Sequence, residues 1–123
     1  MRIEIISGSP RTSSLTKRVA KHLTNQLTAF SELSVGMIDI KVYQWGAVEN
    51  VCQGTSTAPS VRSEVVKRVF EADAFVLVTP EYNGSYSPAL KNFLDHFPKQ
   101  TEKVFGIVTA SPGAFGGMRA ALQ

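Results

Sequence analysis

Apolar residues along the chain alternate between short β-rich runs and stretches with helical spacing. Residues 3–6 form the first run and predict a strand. From Leu15 onward, the apolar residues recur at the spacing of one helix face, which indicates an amphipathic helix. This face consists of Leu15, Val19, Leu23 and Leu27, widened by Ala20 and Phe30. Ser13 or Ser14 can cap the helix at its start.

The same alternation continues through the rest of the chain. We predict strands over residues 35–40, 74–79 and 103–110, although Gly36 obscures the start of the first of these. Ser60 is predicted to cap a helix that presents Val61, Val65, Val69 and Phe70 on one face. Ser87 followed by Pro88 is a typical helix start and predicts a helix over residues 88–97. A last helix is expected to open at residue 118.

Residues 41–59 carry no clear apolar period and predict a long loop. They include Gly46, Gly54, Ser56 and Pro59, residues that favour irregular backbone. Tyr43 and Trp45 are expected to pack this loop onto the rest of the protein. Loops of this length are uncommon in compact domains and often have a function.

Alternation of strands and helices predicts one α/β domain over residues 1–123, a doubly wound parallel sheet with helices on both faces. The sequence ends within its fourth helix, which leaves an apolar strand at the expected sheet edge. Either a further strand and helix are missing or another chain covers the edge. We expect a C-terminally truncated chain.

Composition excludes several functional classes. Apolar residues make up 43% and charged residues 19% of the sequence, as in ordinary globular domains. No apolar run approaches the roughly 20 residues that cross a bilayer. The start does not resemble a signal peptide, and Cys52 is the single cysteine, so we expect a reduced cytoplasmic protein. A net charge of +3 without a dense basic patch argues against a nucleic-acid partner.

Three loops follow strands and precede helices in this predicted fold, and all three are rich in Gly, Ser and Pro. They comprise residues 7–14, 80–87 and 111–117. In a doubly wound sheet such loops emerge at the carboxyl ends of the strands, where ligands bind. The three loops are therefore expected to share one ligand site.

The first loop is predicted to bind a phosphate. Ser9, Ser14, exposed backbone N–H groups and the helix dipole all favour an anion, and Arg11 adds a charged donor. The alternative is that Ser13 and Ser14 only cap the helix. The loop lacks both the dinucleotide fingerprint G-x-G-x-x-G and the Walker A lysine.

The second and third loops suit a flat ligand. In the second, Asn83 and Gly84 readily take positive φ and predict a tight turn. In the third, Gly113, Gly116 and Gly117 allow backbone to approach a ligand closely, although a flexible turn is the alternative.

Residues for acid–base or nucleophilic catalysis do not converge in the sequence. His22 and His96 are expected at the surface or at a helix end, and one cysteine with two distant histidines does not predict a metal site. If the protein is an enzyme, the reactive atom is expected to belong to a cofactor.

The motifs resemble those of the NAD(P)H-dependent FMN reductases, a flavodoxin-like group that includes quinone, azo-dye and chromate reductases. The matching segments are residues 8–14 (GSPRTSS), 80–85 (PEYNGS), 90–95 (LKNFLD) and 111–119 (SPGAFGGMR). The resemblance extends over essentially the whole chain, and the second segment is the most specific.

The resemblance implies bound FMN, with NAD(P)H as co-substrate. Ser9, Arg11 and Ser14 would surround the FMN phosphate, with Leu15 and Thr16 nearby. The isoalloxazine ring and ribityl chain would lie along Pro80, Glu81, Tyr82, Asn83, Gly84 and Ser85. The other side of the ring would be closed by Ser111, Gly113 and Gly116. This sequence departs from the family at Leu15-Thr16, where an aromatic residue and Asn are usual.

The resemblance also implies a ping-pong mechanism in which a hydride passes from NAD(P)H to FMN and then to a quinone, flavin, azo compound or similar acceptor. It implies strand order 2-1-3-4, with the family's fifth strand and last helix absent here. Homodimers or homotetramers are usual, often through the helix carrying Lys91, Asn92 and Asp95. A flavodoxin-type electron carrier is the alternative, although carriers are usually acidic and this chain has a pI near 9.2. A remnant that binds no flavin is a third possibility.

Overall fold

The computed structural model describes residues 1–57 and 60–123, which form a four-stranded parallel sheet between helices. Its strand order is β2-β1-β3-β4, so the predicted flavodoxin-like fold and strand order are confirmed. The strands are β1 (Arg2–Ser7), β2 (Ser34–Asp39), β3 (Ala74–Pro80) and β4 (Val104–Ala110). The helices are α1 (Leu15–Leu27), α2 (Ser63–Glu71), α3 (Pro88–Asp95) and the short α4 (Met118–Ala121).

The register of the sheet brings the carboxyl ends of the strands to one edge. Ser7 at the end of β1 pairs with Asp39 of β2 and with Val78 of β3, and Pro80 of β3 pairs with Ala110 of β4. The loops that follow β1, β3 and β4 therefore leave the sheet side by side, as the sequence predicts.

Each face of the sheet carries its own core. On one face, Ile6 packs with residues of α2 and α3, among them the fully buried Val65 and Phe93. On the other face, Ile5 and Val78 pack against Ala20 of α1. Burying both faces stabilises a parallel sheet, whose strands are apolar on both sides.

Two of the predicted helix starts and faces need correction. Ser60 does not cap an α-helix, because residues Ser60–Arg62 form a 3₁₀ turn and α2 begins only at Ser63. Val61 is consequently 83% exposed rather than buried. In α1, the predicted apolar face holds from Val19 to Leu27, whereas Leu15 at its start and Phe30 beyond its end are exposed.

Strand β2 lies one residue earlier than predicted. It ends at Asp39 because the chain turns there: Asp39 Oδ1 accepts a hydrogen bond from the Lys41 backbone N–H at 3.2 Å. Strand β2 contains Gly36 because of two residues that are distant in the sequence. A β-carbon at this position would lie 2.5 Å from the Glu4 carboxylate and 2.7 Å from the Arg68 guanidinium. Glycine at this position makes room for an ion pair that is invisible in the local sequence.

The long loop packs onto α3 through Trp45, as predicted. The indole contacts the ring of Phe93 at 5.3 Å and that of His96 at 4.7 Å between centroids. Asn92 Nδ2 fixes the loop by donating to the carbonyl oxygens of Trp45 and Gly46 at 3.0 and 2.9 Å. His96 occupies the predicted helix-end position but is buried by this packing. Positions 58 and 59 of the predicted loop lie outside the described residues.

Strand β4 forms one edge of the sheet and exposes apolar side chains. Val104 is 73% and Phe105 64% exposed, whereas the corresponding positions of β3 are half-buried or buried.

Among the described residues, no helix is both long and apolar enough to cross a membrane.

Candidate functional site

The loops after β1, β3 and β4 enclose one open cleft of about 530 Å³ at the carboxyl edge of the sheet. We call them the first loop (residues 8–14), the ring loop (residues 80–87) and the glycine loop (residues 111–117). Twelve residues line the cleft: Ser9, Arg11, Ser13, Ser14, Leu15, Thr16, Pro80, Glu81, Tyr82, Ala110, Ser111 and Pro112. All three predicted segments therefore contribute to a single concave surface.

The first loop leaves β1 alongside the end of β3, with which Gly8 extends the parallel pairing. The Gly8 backbone N–H donates to the Val78 carbonyl oxygen at 2.8 Å, and a β-carbon on Gly8 would lie 2.9 Å from that same oxygen. The side chain of Leu90 in α3 closes the space on the other side, at 3.1 Å from that position. Because both neighbours are fixed, only glycine fits without displacing the loop from the sheet.

Ser87 joins the ring loop to the first loop. Its buried hydroxyl donates to the Gly8 carbonyl oxygen and accepts from the Leu90 N–H at 3.0 Å, which caps α3 as predicted. Its backbone N–H donates to Thr79 Oγ1 at 3.2 Å. Through its side chain and its backbone N–H, Ser87 thus ties together a helix, a strand end and the neighbouring loop.

Replacing Ser87 with alanine is expected to lower the free energy of unfolding by about 2 kcal/mol, because it removes a helix cap and leaves the buried Gly8 carbonyl without its donor. Urea unfolding followed by circular dichroism measures this loss. Ser31→Ala, at an exposed position of the chain, provides a control expected to change stability by less than about 0.5 kcal/mol. A Ser87→Ala variant as stable as the control would show that the hydrogen bonds of the Ser87 hydroxyl do not stabilise the fold.

The start of α1 offers several donors to the cleft. Ser14 Oγ caps the helix by accepting from the Lys17 N–H at 3.1 Å, which leaves its own hydroxyl hydrogen free to donate. The Leu15 and Thr16 N–H groups of the first turn have no hydrogen-bond partner within residues 1–57 and 60–123. Helix capping by Ser14 is confirmed, and it is compatible with anion binding at the same place.

Positive charge is concentrated at the first loop. The Arg11 guanidinium lies over the ring of Tyr82, 5.1 Å from its centroid, and forms no ion pair with a carboxylate in the described part of the chain. Lys17, by contrast, is paired with Asp39 at 2.7 Å. Lys41 Nζ donates to the hydroxyl of Thr12 at 2.6 Å. Arg11 is therefore the cation of the cleft that remains available to an anionic ligand.

The ring loop folds into a tight turn over Asn83 and Gly84. Both residues have positive φ, 53° and 81°, which confirms the turn prediction. The N–H of Tyr82 donates to the Ser85 carbonyl oxygen at 2.8 Å, and the reverse bond measures 3.1 Å. Only Pro80, Glu81 and Tyr82 of this loop line the cleft. Asn83 and Ser85 line a neighbouring depression beside Lys91.

The glycine loop forms part of the cleft wall. Ser111 lines the cleft, whereas Gly113 and Gly116 lie outside its wall and are joined to each other by a backbone hydrogen bond of 2.9 Å. The sequence reasoning missed three lining residues, Ser13, Ala110 and Pro112. Each of the three is next to a predicted residue in the sequence, and this adjacency is the only sequence feature that could have identified them.

The cleft itself holds little acid–base chemistry. Glu81 is the one carboxylate among its lining residues, and it forms an ion pair with Arg119 of α4 at 2.8 Å. His22 is exposed on α1, and His96 is buried against Trp45. Within the described ranges, no cluster of three or more His, Cys, Asp or Glu side chains could bind a metal ion. The arrangement suits binding and orientation of a ligand.

Comparison with known protein families gives a match over the complete sequence. The family model described as NADPH-dependent FMN reductase aligns with residues 1–123. This agrees with the resemblance drawn from the four motifs.

Individual relatives agree with this match. The chain is 34% identical over 99 residues to an FMN-dependent NADPH-azoreductase of Staphylococcus haemolyticus, covering 75% of this chain and 50% of the relative. It is 29% identical over 126 residues to a quinone reductase of Pseudomonas putida, covering 96% and 64%. The solved structure of an NADH:FMN oxidoreductase in its apo form superposes with a TM-score of 0.77 at 23% identity, covering 97% and 62%. The chain thus spans between half and two thirds of these proteins.

Proposed function

Because the chain belongs to the NADPH-dependent FMN reductase family, we propose that it is an FMN-dependent oxidoreductase. It takes a hydride from NAD(P)H and passes it to a quinone, flavin, azo compound or similar acceptor. The observation that carries this proposal is the single cleft into which the first loop, the ring loop and the glycine loop all project. The cleft has a phosphate-type donor set at one end and flat backbone and aromatic surfaces beside it.

Ser9, Arg11 and Ser14 would hold the FMN phosphate, together with the N–H groups of Leu15 and Thr16. Their chemistry fits a phosphate because a helix N-terminus, hydroxyl donors and an arginine that pairs with no carboxylate among the described residues converge there. Thr16 replaces the asparagine that the family resemblance leads one to expect. Thr16 is buried in the first turn of α1 and lines the cleft.

The ring would lie between the ring loop and the glycine loop. Pro80, Glu81 and Tyr82 line one side of the cleft, and Ser111 lines the other. Asn83, Gly84, Ser85, Gly113 and Gly116 would act through the backbone by keeping these two loops in shape. The turn at residues 82–85 is suited to this role because two backbone hydrogen bonds close it.

When bound, FMN supplies reversible hydride chemistry at its ring, which couples oxidation of NAD(P)H to reduction of a second substrate. The chain itself supplies binding and orientation. Its one cleft carboxylate, Glu81, is held in an ion pair with Arg119. Both substrates would use the same open side of the cleft in turn, which predicts ping-pong kinetics.

Steady-state assays of the FMN-loaded protein test this proposal. With NADPH and a soluble quinone varied against each other, we expect parallel lines in double-reciprocal plots. The protein without FMN serves as the control and should consume NADPH at the background rate. Binding of FMN without any NAD(P)H oxidation would instead indicate the alternative, a flavodoxin-type electron carrier. The names of the relatives as azoreductase and quinone reductase favour the enzyme.

A cytoplasmic location and a homodimer or homotetramer complete the proposal. The one cysteine, Cys52, is free and buried, as suits a reducing compartment. The outer side of α3 carries Lys91 and Asp95, which pair with each other and are about half exposed. Light scattering during size-exclusion chromatography measures the molar mass in solution. A monomer at all protein concentrations would contradict the proposed homodimer or homotetramer.

A further inference from the structure

Arg119 of α4, two residues after the glycine loop, contacts the ring loop. Its Nη2 atom donates to Glu81 Oε1 at 2.8 Å, and the Glu81 side chain is only 11% exposed. The same guanidinium lies against the turn of the ring loop, since a β-carbon on Gly84 would be 3.6 Å from the Arg119 guanidinium carbon. One side chain of α4 therefore contacts both the stem and the tip of the ring loop.

No other hydrogen bond or ion pair joins residues 81–87 to residues 111–123 within the described chain. The glycine loop is otherwise held by its own segment and by β4. The Gly113 N–H donates to Ser111 Oγ at 3.2 Å, and Thr109 Oγ1 donates to the Gly116 carbonyl oxygen at 2.7 Å. A segment with three glycines loses much conformational entropy when it is ordered, so a tether from outside has a large effect on it.

We propose that Arg119 is a positioning residue that sets the spacing of the ring loop and the glycine loop through its ion pair with Glu81. This inference rests on the proposed function, because the spacing matters only if a flat ring binds between the two loops. Arg119 does not line the cleft and acts through Glu81 and Gly84. It fixes the two walls before the ligand arrives.

The effect should appear in binding more than in folding. The Arg119 side chain is 67% exposed, so solvent screening limits what it contributes to the free energy of unfolding. Without the tether, however, the glycine loop has to be ordered at the moment of FMN binding, and that cost raises the Kd. Loss of Arg119 is therefore expected to weaken FMN binding while changing the free energy of unfolding little.

Fluorescence titration of the full chain with FMN tests the proposal. Arg119→Gln is expected to raise the Kd by about five- to tenfold at low salt, the range given by ordering one loop and losing one partly buried ion pair. Arg119→Lys keeps the charge and should recover part of the loss. Lys67→Gln removes the same charge from an exposed pair with Glu71 on α2, and it should leave the Kd unchanged within about twofold.

A double-mutant cycle with Glu81→Gln identifies the partner. If Arg119 acts through Glu81, the double variant should bind FMN no more weakly than Arg119→Gln alone. An Arg119→Gln Kd equal to that of the wild type, or losses that multiply in the double variant, would overturn the inference. Failure of the wild type itself to bind FMN is a distinct result, and it overturns the proposed function together with this inference.

Discussion

Replacing Arg11 with alanine is expected to raise the Kd for FMN by about ten- to hundredfold, because one charge-assisted contact to a phosphate contributes about 1.5–3 kcal/mol. Arg11 is free to make that contact, since its guanidinium lies over Tyr82 and has no carboxylate partner in the described part of the chain. Turnover of the FMN-saturated variant should change far less, because Arg11 lies at the phosphate end of the cleft.

The FMN Kd and the kcat at saturating FMN are the two quantities to measure for this variant. Arg18→Ala removes the same charge from an exposed position of α1 that does not line the cleft, so it is the matched control. We expect its Kd to stay within about twofold of the wild type, as for an exposed charge screened by salt. An unchanged FMN affinity in Arg11→Ala would refute the assignment of the first loop to the phosphate.

Replacing Arg68 with methionine is expected to lower the free energy of unfolding by about 3–5 kcal/mol, since it leaves the buried Glu4 carboxylate without its main partner. The Glu4 side chain is 1% exposed, and Arg68 binds it through two hydrogen bonds of 3.0 and 2.5 Å. Hydrogen bonding to Glu4 raises the pKa of Arg68, so the guanidinium stays charged over the whole working range. Arg2 contacts the same carboxylate only at 3.4 Å.

Urea unfolding compares this variant with Lys67→Met, which removes an exposed charge from the same helix. We expect the control to lose less than about 1 kcal/mol. Adding Glu4→Gln to Arg68→Met should recover part of the stability, because the unpaired charge is then removed. A loss for Arg68→Met that is no larger than that of Lys67→Met would show that Glu4 is satisfied without Arg68.

Features that depend on neighbouring residues in the chain were predictable from the sequence. The cap at Ser87 with Pro88, the cap at Ser14 and the turn at Asn83-Gly84 are set by contacts within four residues, and the structure confirms all three. The strand order came from the family resemblance and is likewise confirmed. The cap at Ser60 was wrong because a 3₁₀ turn competes with the α-helix at that point.

Features that depend on distant residues were not predictable in this way. Gly36 weakens a strand by its own propensity, yet it is required by a Glu4–Arg68 pair that joins β1 to α2. The Arg119–Glu81 pair spans 38 positions of the chain, so no local pattern reveals it. The sequence likewise did not predict that Ser13, Ala110 and Pro112 line the cleft, because that follows from how the three loops meet at the edge of the sheet.

The central claim is that the cleft binds FMN and that the bound FMN is reduced by NAD(P)H. A visible absorbance spectrum of the purified full chain supplied with FMN, recorded before and after anaerobic addition of NADH or NADPH, tests it most directly. We predict the shifted spectrum of a bound flavin, followed by bleaching when either nucleotide is added. A spectrum identical to that of free FMN, or a bound flavin that stays oxidised with both nucleotides, would contradict the account.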